Sequence, residues 1–369
     1  MMAENSALKK LLPDPRRLKN DLQNLQRSDY DHALEILVRE LTKTSDVIFI
    51  GQFGLVKNPG ISDLDVLVIA EDRNYKTVRA ASRRITAEIP HSNYIFWHPV
   101  SVVPKSLLPA SRLLHTFSNL RPLWGDATPA NFSAANDPAL KAISAALWNS
   151  YFWRCVCNLR NSRPSLRMLI FLLNNIAHSI AANNQLMEKP AVQLADARSA
   201  ILAAPEKKRA ELMVNYLSEF ISQWHASEWQ LQEWWTRHFE IQNVHPSAEL
   251  RLTSKIHLRF AQHAGAEGEK ISIATKAARL WRKQTGIIEL TLPMFYLELI
   301  LALKDLFPHL QSPALKKLEQ KIQFQSSAHW QNAIATYAAA VTDVARFSGS
   351  FAVNEQTLFG EIFVSPFGF

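Results

Sequence analysis

Cysteine is scarce: the 369 residues hold two, Cys155 and Cys157. They fall in a run with helical patterning, where residues i and i+2 diverge around the axis. Neither a disulfide nor a zinc pair is therefore expected, and both read as reduced, buried thiols in a cytoplasmic protein. The opening stretch, MMAENSALKKLLPDPRR, lacks the apolar core of a secretory signal. No uninterrupted apolar run of about 18 residues exists. The two longest candidates, around 168–180 and 292–303, carry Asn174, Asn175, His178 and Glu298 and read as buried helices, so no membrane partner is expected. Internal repeats of fixed period and low-complexity tracts are also missing.

What is present is enough apolar material for a sizeable core, at 47% hydrophobic residues, in a length that suits one large or two ordinary domains. Lysine and arginine outnumber aspartate and glutamate by 41 − 33 = 8. Such an excess suits an anionic partner, whether nucleotide, nucleic acid or acidic protein. Because the charge is spread along the chain, a basic protein with no special partner fits as well.

Residues 1–28 are polar, broken by Pro13 and Pro15, with Leu18, Leu22 and Leu25 spaced as a short amphipathic helix. The next helix, with Asp29 or Asp31 at its cap, leads into an apolar strand at 47–50. A second strand ends at Ile69, a helix spans 75–88, and a third strand is expected over 94–103, interrupted by Pro99. Leu123-Trp124-Gly125-Asp126 closes this α/β domain, placed at 29–136. Asp137-Pro138 is a good helix start. Helices are expected over 139–161, 164–184, 206–239, 252–262, 273–284, 292–306, 313–325 and 329–347. Region 137–348 thus reads as an all-α domain, followed by a tail at 349–369.

The stretch with the most chemistry is 47–69, VIFIGQFGLVKNPGISDLDVLVI. Asp63 and Asp65 open its second strand, and residues i and i+2 of a strand share a face. Two adjacent carboxylates repel each other unless a cation sits between them. A divalent metal is the usual answer, and Mg²⁺ prefers carboxylate and phosphate oxygens. A turn aspartate beside a solvent-facing strand aspartate is the plainer alternative. Gly51, Gln52 and Gly54 form a candidate phosphate loop, since glycine lets backbone N–H groups approach an anion. Lys57 lies in the same loop, either near a phosphate or simply exposed.

A hydrophobic strand, a glycine turn, about ten residues, then Asp63-Leu64-Asp65 followed by Val66-Leu67-Val68: this pattern resembles the signature of the nucleotidyltransferase (DNA polymerase β-like) superfamily. The resemblance covers roughly 29–126. It implies a small mixed sheet with flanking helices. Asp63 and Asp65 would be catalytic and would hold Mg²⁺, with Mn²⁺ as the alternative. Gly51, Gln52 and Ser62 would bind a nucleoside triphosphate. The implied activity transfers a nucleoside monophosphate to a hydroxyl on RNA, a small molecule or a protein. This chain departs from the pattern twice. Gln52 stands where the family has serine. Ser101 stands where a third carboxylate is usual, with His98, Glu88 and Asp126 as nearby substitutes. A nucleotide-binding, regulatory or interaction protein on a catalytically degenerate scaffold is the corresponding alternative.

Trp224, Trp229, Trp234 and Trp235, with His225 and His238, read either as a base-stacking surface or as a core stripe. Arg112 with His115 and Arg259 with His263 place Arg and His about one helical turn apart. Arg154, Arg160, Arg163 and Arg167 cluster near the domain junction, to contact phosphate or to cover a helix surface.

Overall fold

The computed structural model describes residues 12–97, 99–107, 120–126, 137–143, 165–189, 197–240, 242–243, 247–253, 256–261, 288–303, 313–322 and 324–348. Cys155, Cys157, His98, Arg112, His115, Arg154, Arg160, Arg163, His263 and the tail at 349–369 lie outside them. The chain divides into two compact units. One is built on Asp21–Ser144 with Ala339–Gln356, the other on Ala145–Ala338 with Met1–Asn20 and Thr357–Phe369, so that the last helix, Ala328–Ser348, belongs to the second only up to Ala338.

The first unit begins with α1 (Arg27–Leu41), where Tyr30, Ala33, Leu37 and Leu41 recur at helical spacing and are buried. Asp29 accepts a 2.6 Å hydrogen bond from the Gln26 N–H at the helix start, a reciprocal cap. Then come β1 (Val47–Phe53), β2 (Asp65–Ala70), α2 (Tyr75–Glu88), the one-turn α3 (Ser92–Ile95), β3 (Ser101–Pro104) and β4 (Leu120–Gly125). They form a four-stranded mixed sheet in the order β3-β2-β1-β4. β1 runs antiparallel to β2 and β4, and β2 runs parallel to β3. Val47, Ile50, Val66, Val68, Ala70 and Val102 join the buried side chains of α1 and α2 in one core. Phe49, Leu67, Ile69, Val103 and Leu120 are buried too. By strand alternation they belong to the opposite face.

Two local expectations for this unit are corrected. The strand expected over 94–103 is a helical turn at Ser92–Ile95 followed, after an irregular stretch, by a strand at Ser101–Pro104. The Ile95 carbonyl accepts from the Leu64 N–H at 2.8 Å, which draws this segment to the start of β2 before pairing proper begins. The amphipathic helix expected before residue 26 does not form; a single 3₁₀ turn at Pro15–Arg17 is the only helix there among the described residues.

The second unit carries α4 (Leu166–Leu186), α5 (Ala197–Ala203) and the long α6 (Glu206–His238). These are followed by β5 (Gln242–Asn243), β6 (Ser247–Thr253), β7 (Ile256–Ala261), β8 (Ile288–Pro293), α7 (Met294–Leu303), α8 (Pro313–Glu319), β9 (Phe324–Gln325) and α9 (Ala328–Ser348). β6, β7 and β8 form a three-stranded sheet, and β5 pairs with β9. The region is therefore not all-helical, and the helix expected over 252–262 is a pair of strands. β6 pairs antiparallel with β7, and Ala248, opposite Phe260, is buried with it. Trp224, Trp229 and Trp235 are buried, so the tryptophan series is core. Trp235 and Trp330 meet edge to face at 4.4 Å. Arg167 is also buried, its guanidinium over the Phe171 ring at 5.2 Å. No described helix is long and apolar enough to cross a membrane.

Two acids sit in this second core. The Glu228 carboxylate accepts from the Tyr296 hydroxyl at 2.6 Å, and the Glu298 carboxylate accepts from the Trp330 indole N–H at 2.6 Å. Burial holds the Glu228 carboxyl well above the usual range. Burial raises Glu298 from 4.5 to about 8, and the Trp330 and Trp235 indoles offset that only in part. A buried acid with a raised pKa binds its proton more tightly folded than unfolded. Its contribution is complete below the unfolded value and is lost as pH rises through the folded one. Through Glu298, stability should therefore decline from pH 5 towards 8 by about 1.4 kcal/mol per pH unit. Urea unfolding at each pH should show that slope, and Glu298→Gln should flatten it by one acid's share. An unchanged slope in the variant contradicts this account.

Candidate functional site

The segment between β1 and β2 is held by buried hydroxyls. The Tyr30 hydroxyl donates to the Ser62 carbonyl at 2.8 Å and accepts from the Gly60 N–H at 3.1 Å. The Tyr94 hydroxyl donates to the Gly60 carbonyl and accepts from the Gln23 N–H at 3.1 Å. Arg27 reaches the Val56 carbonyl at 2.8 Å. Gly60 lies at φ +81°, and a Cβ there would overlap the Gln23 carbonyl oxygen, so this position requires glycine. Buried backbone groups in the loop thus have partners, and the loop ends in a fixed place.

That place holds the two aspartates. Asp63 follows Ser62, whose carbonyl is bound by Tyr30, and precedes Leu64, whose N–H is bound to Ile95. Asp65 is the first residue of β2. Asp63 therefore stands just before the strand rather than within it, yet close enough for its charge to act on Asp65. Both are partly buried. Burial, and then the negative charge of Asp63, push the Asp65 carboxyl well above its ordinary value. Among the described residues, no third acidic, histidine or cysteine side chain completes a metal-type cluster with them. Glu88 and Asp126, both described, do not do so.

Sheet register assigns the other candidates to faces. Asp65 is opposite Phe53, Leu67 is opposite Gly51, and Val66 is opposite Gln52. Directly paired residues share a face. Gln52 therefore lies on the helix-covered face with Val66, away from Asp65. It is buried, and its Oε1 accepts from Arg121 Nη2 at 2.6 Å across the β1–β4 pair. Gly51 shares the aspartate face but is roofed over. A Cβ there would lie 2.7 Å from Leu120 Cδ1 and 2.7 Å from Phe49 Cε1, so its glycine admits side-chain packing. Ser62 is buried within the loop, where its Oγ accepts from the Asn58 N–H at 3.3 Å. The glycine nearest the carboxylates is Gly54. At φ +77°, it would set a Cβ 3.7 Å from Asp65 Oδ2. Ser101 pairs with Leu67 and so lies on the aspartate face, half-buried.

Comparison with known proteins finds no matching family, no matching curated protein and no matching solved structure. The functional reading accordingly rests on the residues themselves.

Sequence reasoning missed Arg121 and the two loop-bracing tyrosines. Tyr30 and Tyr94 sit on apolar helix faces, where a tyrosine reads as core. Only the buried turn opposite reveals the use of their hydroxyls.

Because Gly60 and its braces fix the loop, Gly60→Ala should destabilise the first unit by about 3 kcal/mol, from backbone overlap and strain. Tyr94→Phe should cost about 1–2 kcal/mol, leaving the Gly60 carbonyl and Gln23 N–H without that partner. Denaturant titrations of both variants check the order. Equal stability of Gly60→Ala and the parent rejects it.

Proposed function

We propose that the first unit is a nucleotidyltransferase-type domain that takes a nucleoside triphosphate with a divalent cation at Asp63 and Asp65. Its reaction is transfer of the nucleoside monophosphate to a hydroxyl acceptor. The observation that carries this reading is the pair of carboxylates set side by side at the start of a strand by a braced loop. Such a pair is costly by itself, and Asp65 bears that cost as burial and like-charge repulsion. A hard dication removes both penalties, so the donor set fits Mg²⁺ or Mn²⁺. The ion, when bound, supplies charge neutralisation at the phosphoryl oxygens.

The chain's own groups do the rest. Asp63 and Asp65 orient the phosphates through the cation. Gly54, with no side chain and an αL backbone, leaves room for the triphosphate beside Asp65. Leu67 and Phe49 make the floor of that face apolar, which limits water at the carboxylates. The excess of basic residues suits an anionic substrate, and the acceptor is RNA, a small molecule or a protein.

A second reading, nucleotide binding without transfer, is favoured by Ser101 and Gln52. A serine at the position of the usual third carboxylate neither takes up a proton at neutral pH nor holds a metal as a carboxylate does. Gln52 is turned to the opposite face and engaged with Arg121.

Calorimetric titration with each nucleoside triphosphate and Mg²⁺ tests both. The parent should bind in a Mg²⁺-dependent manner, and Asp65→Ala should weaken binding at least about a hundredfold, as loss of a buried charged partner implies. Pyrophosphate release with an acceptor pool then supports transfer, whereas binding without release supports the second reading. No nucleotide binding at all rejects both.

A further inference from the structure

Three large apolar side chains are exposed among the described residues: Leu55 at 65%, Trp97 at 42% and Trp124 at 38%. Two of them lie on the chain segments that border the start of β2 on its two sides. Leu55 follows Gly54, the glycine beside the Asp65 carboxylate. Trp97 reaches the other side through a mismatch in chain length. Ile95 is hydrogen-bonded to Leu64, and Ser101 is in register with Leu67. Between these fixed points β2 advances three residues, roughly 10 Å at strand rise, while the neighbouring chain spends six. The surplus must leave the strand line beside Asp65. Within it, Phe96 and Val100 turn into the helix-side core, whereas Trp97 stays out of that core and is exposed. Among the described residues β3 is an edge strand, and no described strand covers this segment.

Single exposed hydrophobics are ordinary on any surface. Two on opposite sides of one braced carboxylate pair are a different arrangement. They give an apolar rim to a polar centre, as sites for ligands with a ring at one end and a charge at the other require. Resting on the nucleotide reading above, we infer that Trp97 stacks on the nucleobase of the bound triphosphate and that Leu55 borders the same base. Stacking uses the π-face that every base shares, so the rim accepts all bases and holds purines, with their larger ring, more tightly. The expected contribution is about tenfold in affinity or more.

The test compares inorganic triphosphate, ATP and CTP, each with Mg²⁺, by calorimetry. The parent should bind ATP about tenfold more tightly than inorganic triphosphate, with CTP between them. Trp97→Ala should bring ATP down to the affinity of inorganic triphosphate, and Trp97→Phe should retain most of the difference. Leu55→Ser should give a smaller loss, and Trp124→Ala, on the far edge strand, should match the parent. Circular dichroism confirms that each variant is folded. If inorganic triphosphate binds and ATP gains nothing over it, or if Trp97→Ala binds ATP like the parent, the base-stacking role is overturned while the nucleotidyltransferase reading stands. If neither ligand binds the parent, both fall together.

Discussion

Two negative charges held side by side, in a place partly withdrawn from water, set the terms for the first unit. Left to itself, such a pair would move apart or take up a proton. The loop is fixed on both flanks and prevents the first, so burial and then the repulsion show as a raised Asp65 carboxyl. Tyr30 holds the Ser62 carbonyl, Ile95 holds the Leu64 N–H, and Gly60 is wedged against Gln23 between two tyrosine hydroxyls. The hydrophobic packing of α1 places Tyr30, and α3 places Tyr94. Burial of these helices is thus converted into the position of two carboxylates. Repulsion that the surrounding fold maintains is what makes this pair the candidate site.

Face parity then separates the candidates that can serve this pair from those that cannot. β1 continues to Phe53, two residues past Gly51, so the residue after that glycine is still in the strand and points to the opposite side. In the usual family arrangement that residue is a serine beside the phosphates. Here Gln52 is buried on the helix side and tied to Arg121. The chain makes its turn at Gly54 instead, and it is Gly54 that lies against Asp65. The length of β1 and the position of the turn are therefore linked: with the strand running to Phe53, residue 52 faces the helix side, where a long polar side chain bridges to β4.

The parts of the fold legible in the sequence were those with strong apolar runs or clear helical spacing. The α1 face, the helix at Tyr75–Glu88 and the long helix at Glu206–His238 stand where the pattern placed them, while β1 runs three residues past its expected end at 50 and β2 starts after Asp63. What was not legible depended on partners distant in sequence. The run at 94–103 is apolar enough for one strand, but its first residues form a helical turn, and the Ile95 carbonyl that ends it accepts from Leu64. β4 contains Pro122, which looks like a break and is tolerated because β4 is an edge strand. The strands at Ser247–Thr253 and Ile256–Ala261 show their period-two alternation plainly, yet they sit among helices and were absorbed into them. For the candidate site, residue type and spacing place Asp63 and Asp65 near the start of β2, where the structure has them side by side. The direction of Gln52 was not legible, because it turns on where β1 ends.

Raised carboxyl pKa values occur in both units, and access tells them apart. Glu228 and Glu298 are 1% and 5% exposed, and each is capped by an aromatic donor, Tyr296 or Trp330. An acid so enclosed stays protonated, donating or accepting within the core, and no ion can reach it without opening the fold. Asp65 is raised by the same burial, but it is only partly withdrawn from solvent, has a second acid beside it and a glycine with an open side in front of it. The enclosed pair lowers its free energy by keeping protons. The accessible pair can lower it by taking a cation. Desolvation alone marks a titratable group as perturbed; desolvation together with a like charge and an open side makes it a candidate for a ligand.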